Sequence, residues 1–161
     1  MILLKYKLVA FTVFSILSVI TLLISGYISS TKSVDLSEFT INDMKPNQTF
    51  NPSGFKENRN IQLERYRFYY NEKHPDFIVK VNKHKKAISG MVVIKDSSIK
   101  TNMDFQVGAS VDDAIQALGN GYQLTEGKNG YKTLNFVDKT HHLKLKILYQ
   151  NDEIRRIEYF K

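Results

Sequence analysis

Two patterns of apolar and polar positions divide this chain. Leu8 to Ile28 is an unbroken run without a charged residue, and beyond it apolar residues mostly alternate with polar ones. At about 1.5 Å per residue, the 21 uncharged residues are long enough to cross a hydrocarbon core about 30 Å thick. A helix there satisfies its own backbone, and the hydroxyls of Thr12, Ser15, Ser18 and Thr21 can bond back to helix carbonyls. The pattern therefore predicts a single-pass transmembrane anchor over 8–28. Residues 1–7 form a cytoplasmic n-region held inside by Lys5 and Lys7, and the rest of the chain lies outside the cell membrane. The alternative is a signal that is cleaved, leaving a secreted domain. The run exceeds the usual apolar length of such a signal, and the junctions near Ser25-Gly26 and Ser29-Ser30 lack the small residues that cleavage needs.

Residues 29–38 read as a Ser/Thr-rich stalk interrupted by Lys32, Asp35 and Glu38, and residues 39–161 as one extracytoplasmic α+β domain. Within it, Phe68 to Val93 overlays Leu134 to Tyr159 without a gap at an offset of 66 residues. Phe77, Val79 and Val81 fall on Leu143, Leu145 and Ile147, while Ile88, Met91 and Val93 fall on Ile154, Ile157 and Tyr159. Lys73 and Lys80 fall on Lys139 and Lys146. Farther upstream, Thr40 to Met44 matches Thr101 to Phe105 at a shorter offset. The expectation is a helix-plus-three-strand unit used twice, over about 39–100 and 101–161, in one antiparallel sheet.

The second copy is the cleaner. Ser110 can cap a helix whose first turn carries Asp112 and Asp113, whose apolar face is Val111, Ala114, Ile115 and Leu118, and which Gly119 or Gly121 ends. Strands follow from about Tyr131 to Val137, from His142 to Tyr149 and from Ile154 to Phe160, with Gln150 to Glu153 as a turn. In the first copy Pro52 and Gly54 stand where the helix belongs, so Asn47 to Asn60 reads as a loop, or as one short turn.

The formal charge is +7, and +5 remains once Lys5 and Lys7 are set aside. An exported cationic domain is drawn to anionic lipid, wall polymer or an acidic protein partner, and its compartment disfavours nucleic acid. With no Cys, disulfides, thiolate metal sites and a lipidated-cysteine anchor are excluded. The sharpest charge feature is Lys80, Lys83, His84, Lys85 and Lys86 around a hairpin tip, a tentative contact with an anionic surface. The equivalent turn in the second copy, Asn151 to Glu153, is acidic. Arg67 and Tyr69 are candidate partner contacts if they share the outer face.

Catalytic signals are weak. Ser110 in Gly-Ala-Ser is explained by capping. His141 and His142 are adjacent, so on a strand they point to opposite faces, and only with Asp138 and His74 do they suggest a weak metal site. No catalytic residue, metal or cofactor is assigned.

At Gly108-Ala109-Ser110, with Ala114-Ile115, Leu118-Gly119 and a following meander, the chain resembles a group of small exported bacterial domains. These include the beta-lactamase inhibitory protein type, the outer-membrane assembly lipoprotein type, and the domain found beside secreted CAP proteins in Gram-positive bacteria. The group pattern ends in Gly-x-Pro, where this chain has Asn120-Gly121-Tyr122. The resemblance implies a tandem-repeat binding or scaffold module outside the membrane and carries over no catalytic residue. The expected function is a membrane-anchored, non-enzymatic binding or accessory module of inhibitor, immunity or envelope-maintenance type. The contrasting expectation is an envelope enzyme built on His141 or His142 with Asp138.

Overall fold

The computed structural model describes residues 32–161, of which 33–161 form one compact unit. Its strands are β1 (Phe55–Glu57), β2 (Tyr66–Asn71), β3 (Phe77–Asn82), β4 (Ala87–Ile94), β5 (Gln123–Glu126), β6 (Lys132–Asp138), β7 (Leu143–Gln150) and β8 (Glu153–Phe160). One α-helix, α1 (Val111–Leu118), lies between β4 and β5. All eight strands join in a single antiparallel sheet ordered β1-β2-β3-β4-β8-β7-β6-β5.

The expected architecture is corrected in three respects. Each half supplies four strands, not three, because β1 and β5 add an outer strand to each meander. Only the second half has an α-helix among the described residues. The gapless overlay also breaks within the strands. Phe68 pairs with Lys80, whereas Leu134 pairs with Ile147, so Phe68 lies on the outer face and Leu134 in the core. A unit of one helix and three strands used twice is therefore not the structure.

The anchor expected over Leu8 to Ile28 falls outside the described residues, among which no helix is long and apolar enough to cross a membrane. The transmembrane and signal-anchor expectations accordingly find no structural support and are set aside. Residues 29–38 are not a stalk from Ser33 onward. Leu36 is fully buried, Val34 N–H donates to the Val137 carbonyl at 3.0 Å, and the Tyr159 hydroxyl donates to the Leu36 carbonyl at 2.7 Å.

The core lies on one face of the sheet. Phe77, Val79, Met91, Val93, Leu134, Phe136, Leu145, Ile147, Ile157 and Tyr159 point into it from the strands. Leu36, Phe39, Ile41, Phe105 and α1 cover them, Phe39 meeting Tyr159 edge-on with ring centroids 5.0 Å apart. The period of two along each strand produces this one-sided burial. Val111, Ala114 and Leu118 bury the apolar stripe of α1. Ser110 Oγ accepts from the Asp112 N–H, and Gly119, at φ 75°, ends the helix. The helix start is tied to the β7–β8 turn by Val111 N–H donating to the Asp152 carbonyl at 2.8 Å.

Candidate functional site

Where α1 covers the second half, the first half has an extended segment. Asn47 N–H donates to the Ile88 carbonyl at 2.8 Å and Phe50 N–H to the Lys86 carbonyl at 2.9 Å. This segment sets Phe50 and Pro52 beside the β3–β4 turn and leaves part of the sheet face open. The result is a cleft of about 290 Å³ lined by Phe50, Pro52, Arg67, Tyr69, Val81, Asn82, Lys83 and Lys86.

The turn itself is held by Asn82, whose Oδ1 accepts from the backbone N–H groups of His84 and Lys85, each at 3.0 Å. Lys86 takes a left-handed conformation at φ 50° to re-enter β4. Lys83 and Lys86 make no ion pair among the described residues, so the turn presents two uncompensated cations to the cleft. Arg67 stands on β2 opposite Val81. Its only carboxylate partner among the described residues is Glu57, at 3.7 Å, with the Arg67 side chain half exposed. Its pKa is held above the ordinary value, first by a hydrogen bond with Tyr69 and then by the Glu57 charge.

The floor is apolar. Tyr69 pairs with the buried Val79, so its side chain lies on the core face, and its ring centroid is 4.7 Å from that of Phe50. Arg67 and Tyr69 do share a face, but it is the face that carries the core. The outer face of β2 carries Tyr66, Phe68 and Tyr70 instead, in register with Asn82, Lys80 and Ile78.

The basic cluster expected at the tip is thus divided. Lys83 and Lys86 line the cleft, while His84 and Lys85 are exposed at the turn. Lys80 belongs to the outer face, with Nζ 3.9 Å from the Tyr66 ring centroid. A cleft joining Arg67 and Tyr69 to Lys83 and Lys86 was not foreseen, because the sequence phase of β2 relative to β3 differs from that of β6 relative to β7.

Two other polar clusters resolve into scaffold. Asp35, Asp138 and His141 place ligand atoms within 4.8 Å of one another. The Asp138 carboxylate is buried, and its oxygens accept from Leu36 N–H at 2.9 Å, His141 N–H at 2.9 Å and His141 Nδ1 at 2.8 Å. Burial pushes its pKa up, but these three donors overcome that and hold it at about 2. The carboxylate is therefore a clamp joining the first described segment to the β6–β7 turn. His142 is exposed and His74 pairs elsewhere, so neither joins this group.

Ser98, His74 and Asp96 are the residue types of a nucleophilic triad in the wrong connection. A relay needs the two ring nitrogens to serve different partners. Here Nδ1 meets both Asp96 Oδ2 at 2.9 Å and Ser98 Oγ at 3.0 Å, and the Ser98 hydroxyl donates to Asp96 Oδ1 at 2.5 Å. The acid holds the hydroxyl proton directly, which leaves the imidazole no role as its base.

No known protein family, curated protein or solved structure matches this chain.

Proposed function

We propose that this domain is a non-enzymatic binding module acting outside the cytoplasm, and that it takes an anionic partner in the cleft beside the β3–β4 turn. One observation carries the reading: Arg67, Lys83 and Lys86 converge on a cleft with an aromatic floor and no carboxylate in its lining. Such a site pairs charge recognition with apolar contact, the usual composition of a ligand cleft. A second basic surface, formed by Lys95, Arg155 and Arg156, has two of its three cations paired with carboxylates. Arg155 and Arg156 each meet a glutamate, Glu153 and Glu158, at 2.8 Å.

The placement outside the cytoplasm rests on the sequence alone, in which Lys5 and Lys7 precede an uncharged run of the kind that directs export. Inhibitor, immunity and envelope-maintenance roles all make use of a binding surface of this kind. The envelope-enzyme reading is not favoured, because Asp138 and His141 are engaged in holding the chain together.

Tripolyphosphate titrated into the isotopically labelled full chain tests the reading. Amide shifts centred on Arg67, Lys83 and Lys86 support it. Shifts centred on Lys95 and Arg155, or no saturable shifts, reject it.

A further inference from the structure

Next to the cleft lies a second one, of about 300 Å³, whose lining includes Arg59, Ile61, Gln62 and Glu57. Arg67 and Lys83 line both clefts, so the two adjoin at the start of β2, where Tyr66 also bounds the second. Cations follow along the resulting groove from Lys86 through Lys83 and Arg67 to Arg59. They span the β3–β4 turn, β2 and the chain just beyond β1, a distance of roughly 10–15 Å at the ordinary inter-strand spacing.

Building on the anionic-partner reading, we propose that this groove takes an extended polyanion of the phosphodiester class, lying across the strands, and that Glu57 is a built-in competitor for Arg67. A single phosphate engages two of these cations, whereas a repeating charge uses all of them. Guanidinium groups match phosphate oxygens in fork geometry. The aromatic floor at Phe50 and Tyr69 receives the uncharged units between the charges. A flat bilayer would meet the turn tip first, at His84 and Lys85, whereas an extended chain follows the line of exposed cations from Lys86 to Arg59. Glu57 contacts Arg67 at 3.7 Å, the position an arriving phosphate needs, so an incoming ligand displaces one carboxylate.

The test uses the full chain, calorimetry, and glycerol phosphate oligomers with about one and about eight phosphates, beside phosphatidylglycerol vesicles. Linking several contacts on one ligand should raise the affinity for the longer oligomer by at least ~50-fold, well above the ~8-fold that site counting alone provides. Arg59→Gln, at the far end of the groove, should weaken the long oligomer severalfold while changing the single unit little, and Lys86→Gln, within the first cleft, should weaken both. Glu57→Gln should tighten the long oligomer severalfold, and Glu126→Gln, the same charge change on the far edge strand β5, should not. A gain with length no larger than site counting would overturn the extended groove and leave the anionic cleft standing. Vesicle binding without oligomer binding would replace the polymer with a bilayer. Binding of neither would overturn both the groove and the proposed function.

Discussion

Val92 and Glu158, 66 residues apart in the chain, face each other at the middle of the β4–β8 pair. The flanking pairs, Gly90 with Phe160 and Ile94 with Arg156, exchange places when the β4 residues are advanced by the same offset, 90 to 156 and 94 to 160. Bulged residues occur at Ser89 in β4 and Arg155 in β8, again 66 apart. Away from this centre the halves diverge. The β7–β8 pairing continues to Gln150 and Glu153, leaving Asn151 and Asp152 as a two-residue turn with φ of 51° and 61°. The β3–β4 pairing stops at Asn82 and Ala87, leaving the four residues Lys83 to Lys86 free. The cationic cleft exists because this loop is open and no helix covers it.

The junction tolerates no side chain at Gly90. A Cβ there would lie 2.8 Å from Phe160 Cβ and 3.3 Å from the Tyr159 carbonyl oxygen. Gly90→Ala should therefore lower stability by about 1–3 kcal/mol, the usual cost of overpacking, in urea denaturation. Wild-type stability would mean that β4 and β8 are not so closely paired.

Asp138 should make folding acid-sensitive. Its folded pKa of about 2 lies below the ordinary 3.8. Its contribution is therefore complete above pH ~4 and is lost as the pH falls toward ~2. Asp138→Ala strands the buried Leu36 N–H and should cost about 3 kcal/mol at neutral pH. Urea midpoints measured from pH 6 to pH 2 check both effects, since the variant should show a flatter acid limb than the wild type.

The Tyr159 hydroxyl ties the sheet to Leu36 at 2.7 Å within the core. Tyr159→Phe leaves that carbonyl with only the Phe39 N–H, at 3.1 Å, and should cost about 1 kcal/mol, read by thermal unfolding. Little change in unfolding would place residues 33–38 outside the cooperative unit.

Helix α1 supplies a control outside the lining of the cleft. Ser110→Ala removes its cap and should cost about 1 kcal/mol in urea denaturation, with unaltered binding of the eight-phosphate oligomer. Weakened binding would mean that the oligomer is not held by the first half.

Elements with strong local punctuation were legible in the sequence. Ser110, Asp112 and Gly119 mark the ends of α1, and Leu143, Leu145 and Ile147 alternate as β7 requires. Strands β1 and β5 were not legible. Phe55–Glu57 is too short for a period, and the four residues of β5 are all exposed. The buried face of β2 is not legible, because Tyr66, Phe68 and Tyr70 are as apolar as a core stripe, and only the pairing of Tyr69 with Val79 shows which side is buried. Leu36 and Asp138 meet across 102 residues, a contact with no local signal. Within the candidate site, Lys83 and Lys86 stood out as charge. Their convergence with Arg67 depends on a register that apolar spacing does not encode.

In the proposed groove the anionic partner is held by particular cations, and not by net charge. Affinity for the eight-phosphate oligomer, compared between Lys83→Gln/Lys86→Gln and Lys144→Gln/Lys146→Gln in the full chain, tests this most directly. Both doubles remove two positive charges, but the second pair lies on β7, away from the groove. The expected result is a loss of about tenfold or more for the first double and less than about twofold for the second, since each lost contact at a built site is worth about 1 kcal/mol or more. Equal losses in the two doubles would contradict the account.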